Sequence, residues 1–311
     1  MAGLKCSTNL LLSTYSLLLT PMLSPYLTHL LILIGIYVIL GTSLNLAMGY
    51  TGLLNLGHVA FFGIGAYTSA LLAVNGVPFV ISFLAAGLVA AIFGFILSLA
   101  TRHLKGDYLA LATLGFSFVV YSVFLNWTGL TRGPLGIPGI PKPSLGETVI
   151  TTNQGYLIFV AIVAALVVLF IWRLTSSRYG KVLEAMRDDQ LAASVLGKPV
   201  FKLKSQSLAI SAFFAGLAGS LFAHYLTYID PSSFFLSEIV LLVTVVMVGG
   251  LASLRGTILA VVILLLIPEA LRFVNMPSFI IGPARQILYA IILIAVIMYR
   301  PRGLLGRVDL E

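Results

Sequence analysis

The chain has 311 residues, of which 59% are apolar and 9% are charged, against roughly 25% charged in an average soluble domain. A water-soluble fold of this size needs more polar surface, so the composition predicts a protein solvated by lipid. The net charge of +8 does not indicate nucleic-acid binding, because the basic residues lie in short connections between apolar stretches. The single cysteine, Cys6, excludes an intrachain disulfide and a CxxC metal site, and we predict neither a cofactor nor a metal.

Long uncharged stretches predict the membrane spans. No Asp, Glu, Lys or Arg occurs between Lys5 and Arg102, and shorter uncharged stretches follow. A helix needs about 20 apolar residues to cross a bilayer, whereas barrel strands alternate apolar and polar residues. We therefore predict an all-α integral membrane protein, a polytopic bundle of about ten transmembrane helices that forms a single domain over residues 1–311. The predicted spans are 9–24, 29–48, 53–75, 79–101, 107–127, 155–173, 207–228, 237–253, 257–273 and 285–299.

The most unusual apolar segment joins the second and third predicted spans. Its glycines each weaken a helix by up to roughly 1 kcal/mol relative to alanine, and its polar side chains need partners inside the membrane. Two hypotheses follow: a broken helix beside a water-accessible pathway, or close helix packing with the polar groups bonded to neighbours. The candidate pathway residues are Asn45, Gly49, Gly52, Asn55, Gly57, His58, Phe61 and Phe62.

The same segment encodes no nucleotide site. Gly52 and Gly57 have the spacing of a phosphate-binding loop, but His58 stands where that loop requires Lys followed by Ser or Thr. Energy for any transport must therefore come from another chain or from an ion gradient. Coupling to an ion gradient is poorly supported, because the acidic residues of the later spans lie near predicted span ends. Of these, Glu269 is expected to pair with Arg272, three residues further along the same helix. His58 leaves ion coupling open as the alternative.

Three basic clusters predict the orientation. They are Arg102 with Lys105, the loop 174–206, and the segment 300–307. The positive-inside rule places all three in the cytoplasm, and an even number of predicted spans separates each from the next. The external segments are then 128–154, 229–238 and 274–284.

Loop 174–206 contains a predicted amphipathic helix. Asp188 or Asp189 can cap its start, Leu191 and Val195 form an apolar stripe, and Gly197 suits its end. This helix either lies against the membrane surface or docks into a groove on a partner protein.

Small residues at helix-packing spacing predict that several helices approach one another closely, because small side chains let helix backbones meet in lipid. This pattern supports a compact bundle and says nothing about cargo. The residues are Ala212, Gly216 and Ser220, Ala215 and Gly219, and Gly249 and Ser253.

Taken together, these motifs resemble the LivM-type permeases of branched-chain amino acid ABC importers. The resemblance is carried by the runs 45–67 and 131–141 and by Gly249-Gly250 followed by Pro268-Glu-Ala-Leu-Arg272, in an order and spacing that match over about residues 30 to 305. The pattern Asp189-x-x-Ala192-Ala193-x-x-x-Gly197 is similar to the segment through which ABC permeases contact their ATPases. That family more often has Glu where Asp189 stands.

The resemblance implies a type II ABC importer-like fold and a non-enzymatic permease subunit in a prokaryotic cytoplasmic (inner) membrane. Its expected partners are a second, LivH-type permease, two ATPase subunits and an extracytoplasmic substrate-binding protein, with lipid around the spans. Loop 174–206 is then the ATPase-coupling loop. The residues implied in coupling are Glu184, Asp188, Asp189, Leu191, Ala192, Ala193, Val195 and Gly197.

The resemblance also implies an external role and a substrate class. Arg132, Pro134 and Pro138 are expected to help dock the binding protein or to form an outer gate, and a plain structural loop is the alternative. Branched-chain or other small amino acids are the implied cargo, with urea or short amides as the alternative. A stand-alone carrier or a membrane-embedded enzyme remains open as a different class of protein.

Overall fold

The computed structural model describes residues 25–145, 148–150, 152–270, 278–300 and 302–306, and nearly all of this part is helical. The helices are α1 Pro25–Asn45, α2 His58–Val74, α3 Phe79–Ala100, α4 Gly106–Asn126, α5 Thr128–Thr131, α6 Asn153–Ser176, α7 Arg178–Asp188, α8 Gln190–Val195, α9 Val200–Leu226, α10 Leu236–Gly249, α11 Leu254–Ala270 and α12 Ser278–Tyr299. A π-helical turn, Leu46–Tyr50, continues α1, and 3₁₀ turns occupy Gly133–Leu135 and Pro231–Phe234. The strands are β1 Ile137–Pro138, β2 Ser144–Leu145, β3 Thr148–Val149 and β4 Tyr228–Ile229.

The predicted all-α membrane class is confirmed, but the count of ten spans is not. Six helical segments of the described chain are long and apolar enough to cross a membrane: Pro25–Tyr50, Phe79–Ala100, Gly106–Asn126, Asn153–Ser176, Val200–Leu226 and Pro231–Gly249. Two shorter apolar helices are His58–Val74 and Gly282–Val296. The first predicted span, 9–24, lies outside the described residues.

Helices α1 and α9 form the centre of the bundle. Both are largely buried, whereas α3, α4 and α6 leave most of their length exposed. On α6 the exposed side chains are apolar and recur at helical spacing, as in Ile158, Ile162 and Leu166. A monomeric soluble protein rarely exposes so continuous an apolar surface, so these outer faces are suited to lipid or to another membrane subunit.

Close backbone contact between α9 and its neighbours confirms the prediction from small residues. A Cβ built on Gly65 of α2 would lie 2.6 Å from the carbonyl carbon of Gly216, and one on Gly219 would lie 2.7 Å from the backbone nitrogen of Ala66. On its other side, a Cβ on Gly216 would lie 2.6 Å from the carbonyl oxygen of Ala86 in α3. Only glycine allows helices to approach this closely, as the small-residue rule expects.

Connections between helices gather at two ends of the bundle. We call one the basic end; it holds 101–105, 177–199, 250–253 and 302–306. Contacts join these segments, because Arg102 and Lys204 line one small cavity and the Arg187 Nη1 donates to the Gly49 carbonyl at 2.9 Å. The three basic clusters therefore share one end in the described chain, as the even number of predicted spans requires.

The opposite end holds the connections 75–78, 127–145, 148–150 and 227–235. There β1 pairs antiparallel with β4, with Ile137 opposite Ile229. The His224 ring at the end of α9 stacks edge-on against Phe79, and its Nδ1 lies 2.7 Å from the carbonyl oxygen of Pro141. Two segments predicted as external, 128–154 and 229–238, thus meet at this end.

The tail Arg302–Gly306 packs against the turn between α10 and α11 at the basic end. The Leu304 N–H donates to the Val248 carbonyl at 2.8 Å, and the Leu305 N–H donates to the Gly249 carbonyl at 3.3 Å. Gly250 has a φ of +99°, and a Cβ on Gly303 would lie 2.7 Å from the Gly250 Cα. The tail is therefore an integral part of the folded body.

Candidate functional site

The glycine-rich segment is a helix break, as one of the two sequence hypotheses required. Helix α1 widens into the π-helical turn Leu46–Tyr50, the chain then leaves the helix, and α2 begins at His58 rather than at the predicted residue 53. Gly52 has a φ of +66°, a conformation that glycine adopts readily and other residues rarely do. The break lies at the basic end, because Gly52 packs against the Arg187 side chain.

Asn45 ties the end of α1 to the turn between α10 and α11. Its Nδ2 donates to the Thr257 hydroxyl at 2.6 Å and to the Ser253 carbonyl at 3.2 Å. Its Oδ1 accepts the N–H of Ala252 at 3.0 Å, and Ala252 has a left-handed φ of +58°. A Cβ on Gly49 would lie 3.1 Å from the Ala252 Cα, so glycine is needed for this approach. Asn45 therefore acts as a structural anchor within this chain.

The remaining side chains of the break are also packed into the protein. His58 is buried, with Nε2 3.0 Å from the Ser43 hydroxyl. Phe61 packs on Phe116, and Phe62 packs on Phe222 and Phe234; both are at most 1% exposed. These contacts favour the close-packing hypothesis for this conformation, and the pathway role of these residues stays a prediction.

Among the candidate pathway residues, Asn55 lines a small cavity. It borders a space of about 20 Å³ shared with Arg102, Thr113 and Lys204. The Asn55 Oδ1 accepts the Gly57 N–H at 3.1 Å. A volume near that of a single water molecule cannot hold an amino acid, so this space is no binding site in the present conformation.

The coupling loop forms two helices rather than one. Asp189 caps α8, because its Oδ1 accepts the N–H groups of Leu191 at 2.8 Å and Ala192 at 3.0 Å. Asp188, the other candidate cap, ends α7 and instead forms an ion pair with Arg187 at 2.7 Å. Gly197 follows the helix with a φ of +75°, a conformation that suits the residue after a helix.

An apolar patch covers the outer face of α8. Leu191, Val195 and Leu196 are 72%, 80% and 77% exposed, while Ala193 is buried against the bundle. We call the three exposed side chains the α8 patch. Such a cluster on a six-residue helix at the basic end is expected to be covered by a partner or a lipid surface.

Helix α7 was missed from the sequence. Its buried side chains Leu183 and Met186 pack toward the bundle, and Gly180 lets it meet the end of α6, where a Cβ would lie 2.5 Å from the Thr175 Cα. The pair Leu183 and Met186, three apart, was the available signal. Burial raises the pKa of the Tyr179 hydroxyl on this helix, so it stays protonated. Glu184, also on α7, borders a polar cavity of about 310 Å³ with Lys181 and Arg255.

Arg187 connects the coupling loop with the helix break. Its Nε and Nη2 donate to Asp188 Oδ1 at 2.9 and 2.7 Å, and its Nη1 donates to the Gly49 carbonyl at the end of the π-helical turn. A guanidinium held by a carboxylate on one side and a helix-terminal carbonyl on the other joins two otherwise separate elements. Arg187 therefore bridges α7 and the π-helical turn that continues α1.

The predicted external residues sit at the opposite end. Arg132 adopts a left-handed φ of +62°, Pro134 lies in the 3₁₀ turn that follows, and Pro138 is in β1 opposite Tyr228. Strand pairing holds this segment against the end of α9. Its role in docking or gating stays a prediction.

A polar cleft between α1, α9, α10, α11 and α12 was not anticipated. It has a volume of about 400 Å³. The Tyr37 hydroxyl donates to Glu238 at 2.7 Å, and Arg285 Nη2 lies 4.0 Å from Glu269 Oε1. The Tyr26 hydroxyl also donates to Glu269. The expected Glu269–Arg272 pair is not described, because Arg272 lies outside the described residues; Glu269 instead faces Arg285 of the next helix.

Metal binding finds no support in the described chain, where no three His, Cys, Asp or Glu side chains come together in a group that could hold an ion.

Comparison with known proteins gives consistent matches over nearly the whole chain. The family described as "Branched-chain amino acid transport system / permease component" matches residues 26–297. The high-affinity branched-chain amino acid transport system permease protein LivM of Salmonella typhimurium is 37% identical over 294 residues, covering 87% of this chain and 68% of the relative; LivM of Escherichia coli gives the same values. The LivH permease of Escherichia coli is 27% identical over 296 residues, covering 88% and 92%.

Among solved structures, PsaBC from Streptococcus pneumoniae in complex with Fab overlaps with a TM-score of 0.46 at 16% identity, covering 90% of this chain and 94% of that chain. That score is too low to support an argument about the fold.

Proposed function

The chain belongs to the family of permease components of branched-chain amino acid transport systems, and from that membership we infer that it is the membrane subunit through which an ABC importer moves branched-chain or other small amino acids. The observation that carries this proposal is the 37% identity to LivM over 87% of the chain. Residues 1–311 act as one permease domain, and ATP is hydrolysed by separate subunits.

The assembly we propose contains a second, LivH-type permease, two ATPase subunits and an extracytoplasmic substrate-binding protein. Similarity of this chain to both LivM and LivH supports the pairing of two related permeases. The complex lies in a prokaryotic inner membrane with the basic end in the cytoplasm, because basic connections favour that side. The opposite end, with Arg132, Pro134 and Pro138, then faces the binding protein.

Loop 174–206 is the proposed contact with an ATPase subunit. Helix α8 is capped by Asp189, and its α8 patch is exposed at the basic end. Both features suit docking of a short helix into a groove on a partner. Arg187 extends this contact inward, because its hydrogen bond to Gly49 joins α7 to the end of α1. Closure of the ATPase pair would thus displace α8 and α7 and, through them, the helix break. Glu184, Ala192 and Ala193 complete the proposed coupling surface.

The test replaces the centre of the α8 patch with charge. In a chain carrying both Leu191→Asp and Val195→Asp, we expect loss of ATPase co-purification, because a desolvated carboxylate cannot enter an apolar groove. Leu135→Asp is the control: it adds one such charge at an 80% exposed apolar side chain of the opposite end. Normal ATPase recovery by the double variant, with membrane insertion unchanged, would refute the docking role.

Uptake assays separate this proposal from a stand-alone carrier. Vesicles containing the full complex should accumulate leucine only when ATP is present on the side of the membrane that carries the ATPase subunits. Vesicles containing this chain alone should accumulate none. Leucine uptake by the single chain would overturn the assignment to an ATP-driven importer.

A further inference from the structure

The cleft at α1, α9, α10, α11 and α12 has the size and form of a small-molecule site. Its volume of about 400 Å³ lies within the roughly 300–1,000 Å³ typical of such sites. It is partly open, since the side chains of Arg285 and Glu269 are 35% and 19% exposed. By contrast, the space beside Asn55 in the helix break has a volume of only about 20 Å³.

The charges on its wall lie in three apolar helices, of which α10 belongs to a segment long enough to span a membrane. Glu238 is in the first turn of α10, Glu269 near the end of α11 and Arg285 in α12. Ionisable side chains in such helices are costly, and they usually mark the path of a solute or an ion. Glu238, Glu269 and Arg285 come from three different helices and line the same cleft, which indicates that they have a function there.

The two acids have different surroundings. Glu269 accepts a hydrogen bond from Tyr26 and faces the Arg285 guanidinium. Glu238 accepts from the Tyr37 hydroxyl, and within the described residues it forms no ion pair. A carboxylate that has a neutral donor but no cation can accept a bound ammonium group.

Arg285 supplies the complementary charge. Its Nε is buried and has no hydrogen-bond acceptor among the described residues, although the Nη2 lies near Glu269. A guanidinium has five N–H donors in a planar fork that matches a carboxylate. The Nε donor, which has no acceptor among the described residues, suits the carboxylate of a ligand in the cleft.

Aliphatic and aromatic side chains form much of the remaining wall, which also includes the polar side chains of His29, Ser237 and Gln286. Leu33 of α1, Leu241 of α10, Leu265 of α11 and Phe222 of α9 all line the cleft. An apolar wall between an acid and a guanidinium fits a molecule with an ammonium, a carboxylate and an aliphatic side chain. A neutral amide or urea would leave Glu238 without a cation, which is costly away from water.

We propose that this cleft holds the amino acid in transit, with its α-ammonium at Glu238, its α-carboxylate at Arg285 and its aliphatic side chain against Leu33 and Leu241. The proposal rests on the proposed function and adds a site to it. Tyr37 orients the Glu238 carboxylate, and Glu269 orients the Arg285 guanidinium. Neither the helix break nor the α8 patch contributes to this site.

The experiment measures protection of a cysteine on the cleft wall. The reporter is Leu33→Cys in a Cys6→Ser background, within the complex of both permeases and the ATPases in vesicles, labelled by a small water-soluble thiol reagent. L-Leucine should slow labelling. 4-Methylpentanoate lacks the ammonium and 3-methylbutylamine lacks the carboxylate, so each should protect only at concentrations roughly 10- to 100-fold higher. Acetamide should not protect.

Substitution of the acid tests the assignment directly. Glu238→Gln should raise the leucine concentration for half-protection by roughly 10- to 100-fold, because it removes the charge that pairs with the ammonium. Asp107→Asn, an exposed acid in the first turn of α4, is the matched control and should leave that concentration unchanged. If Glu238→Gln fails to insert into the membrane, Arg285→Lys serves as the second variant, because it keeps the positive charge but loses the planar fork of donors. Arg285→Lys should weaken protection by leucine and should leave protection by 3-methylbutylamine unaltered.

Two results would overturn the proposed site: equal protection by leucine and 4-methylpentanoate, or unchanged protection in Glu238→Gln. If ATP-driven leucine uptake persists in those vesicles, the site fails and the proposed function stands. If acetamide is taken up and protects while leucine does neither, the proposed substrate class fails with the site.

Discussion

The contact between Gly65 of α2 and Gly216 of α9 yields the sharpest prediction about stability. A Cβ on Gly65 would lie 2.6 Å from the carbonyl carbon of Gly216, where carbon atoms pack at about 3.5–4.0 Å. The obstructing atoms are backbone, so Gly65→Ala requires the helices to separate by about 1 Å. Overpacking of this kind costs about 1–3 kcal/mol and sometimes more.

Gly115 of α4 provides the matched control. It lies mid-helix, and a Cβ added there would meet nothing within 4 Å. Gly115→Ala should therefore stabilise its helix by about 0.5–1 kcal/mol through intrinsic propensity alone. Gly65→Ala gains the same amount, so the two variants should differ by the overpacking cost alone, about 2–3 kcal/mol against a backbone obstruction, and the net destabilisation of Gly65→Ala is about 1–2 kcal/mol.

Thermal melts of the purified protein measure this difference. We would follow the loss of the monodisperse size-exclusion peak with temperature in a single detergent. Since one kcal/mol shifts Tm by about 2–4 °C in large domains, the two variants should melt on the order of 5–10 °C apart. Coincident melting curves would show that α2 and α9 are not in close contact, and would refute the packing described for the centre of the bundle.

Three further predictions concern the coupling loop and the cleft. Asp189→Ala removes a helix cap worth about 1 kcal/mol, so amide hydrogen exchange over residues 190–195 should accelerate roughly fivefold. Asp189→Asn keeps a hydrogen-bond acceptor at the cap and should leave the exchange rate unchanged. Arg187→Ala should leave ATPase recruitment intact but lower leucine uptake per ATP hydrolysed, since it cuts the link to Gly49; an unchanged ratio would exclude that route. In a Cys6→Ser background, Gln286→Cys at the cleft should react quickly with a water-soluble thiol reagent, and Phe62→Cys should resist it with and without ATP. Rapid labelling of Phe62→Cys would restore the pathway hypothesis for the helix break.

The sequence predicted features that depend on local chemistry. Uncharged stretches located the membrane helices because charge is excluded from lipid. Asp189 and Gly197 bounded α8 because caps act within a few residues of the chain. The cluster of glycines before His58 indicated a broken helix as part of one of two hypotheses, and the helix is interrupted there.

Features that depend on distant residues were not predicted. Glu238 and Arg285 lie far apart in the chain, and only the packing of α10 and α12 brings them to one cleft. Spacing alone suggested a pair between Glu269 and Arg272, because local rules compare residues on the same helix. Burial of Asn45 likewise depends on a turn near the other end of the chain, so its role as an anchor could not be read from its neighbours.

The tail Arg302–Gly306 has a consequence for the order in which the protein forms. Residues 302–306 are synthesised after every element that they contact, and they supply the N–H groups that pair with the Val248 and Gly249 carbonyls. Until they emerge from the ribosome, these two carbonyls lack those partners and the turn at Gly250 stays uncovered. This end of the bundle can therefore be completed only after residues 302–306 have left the ribosome.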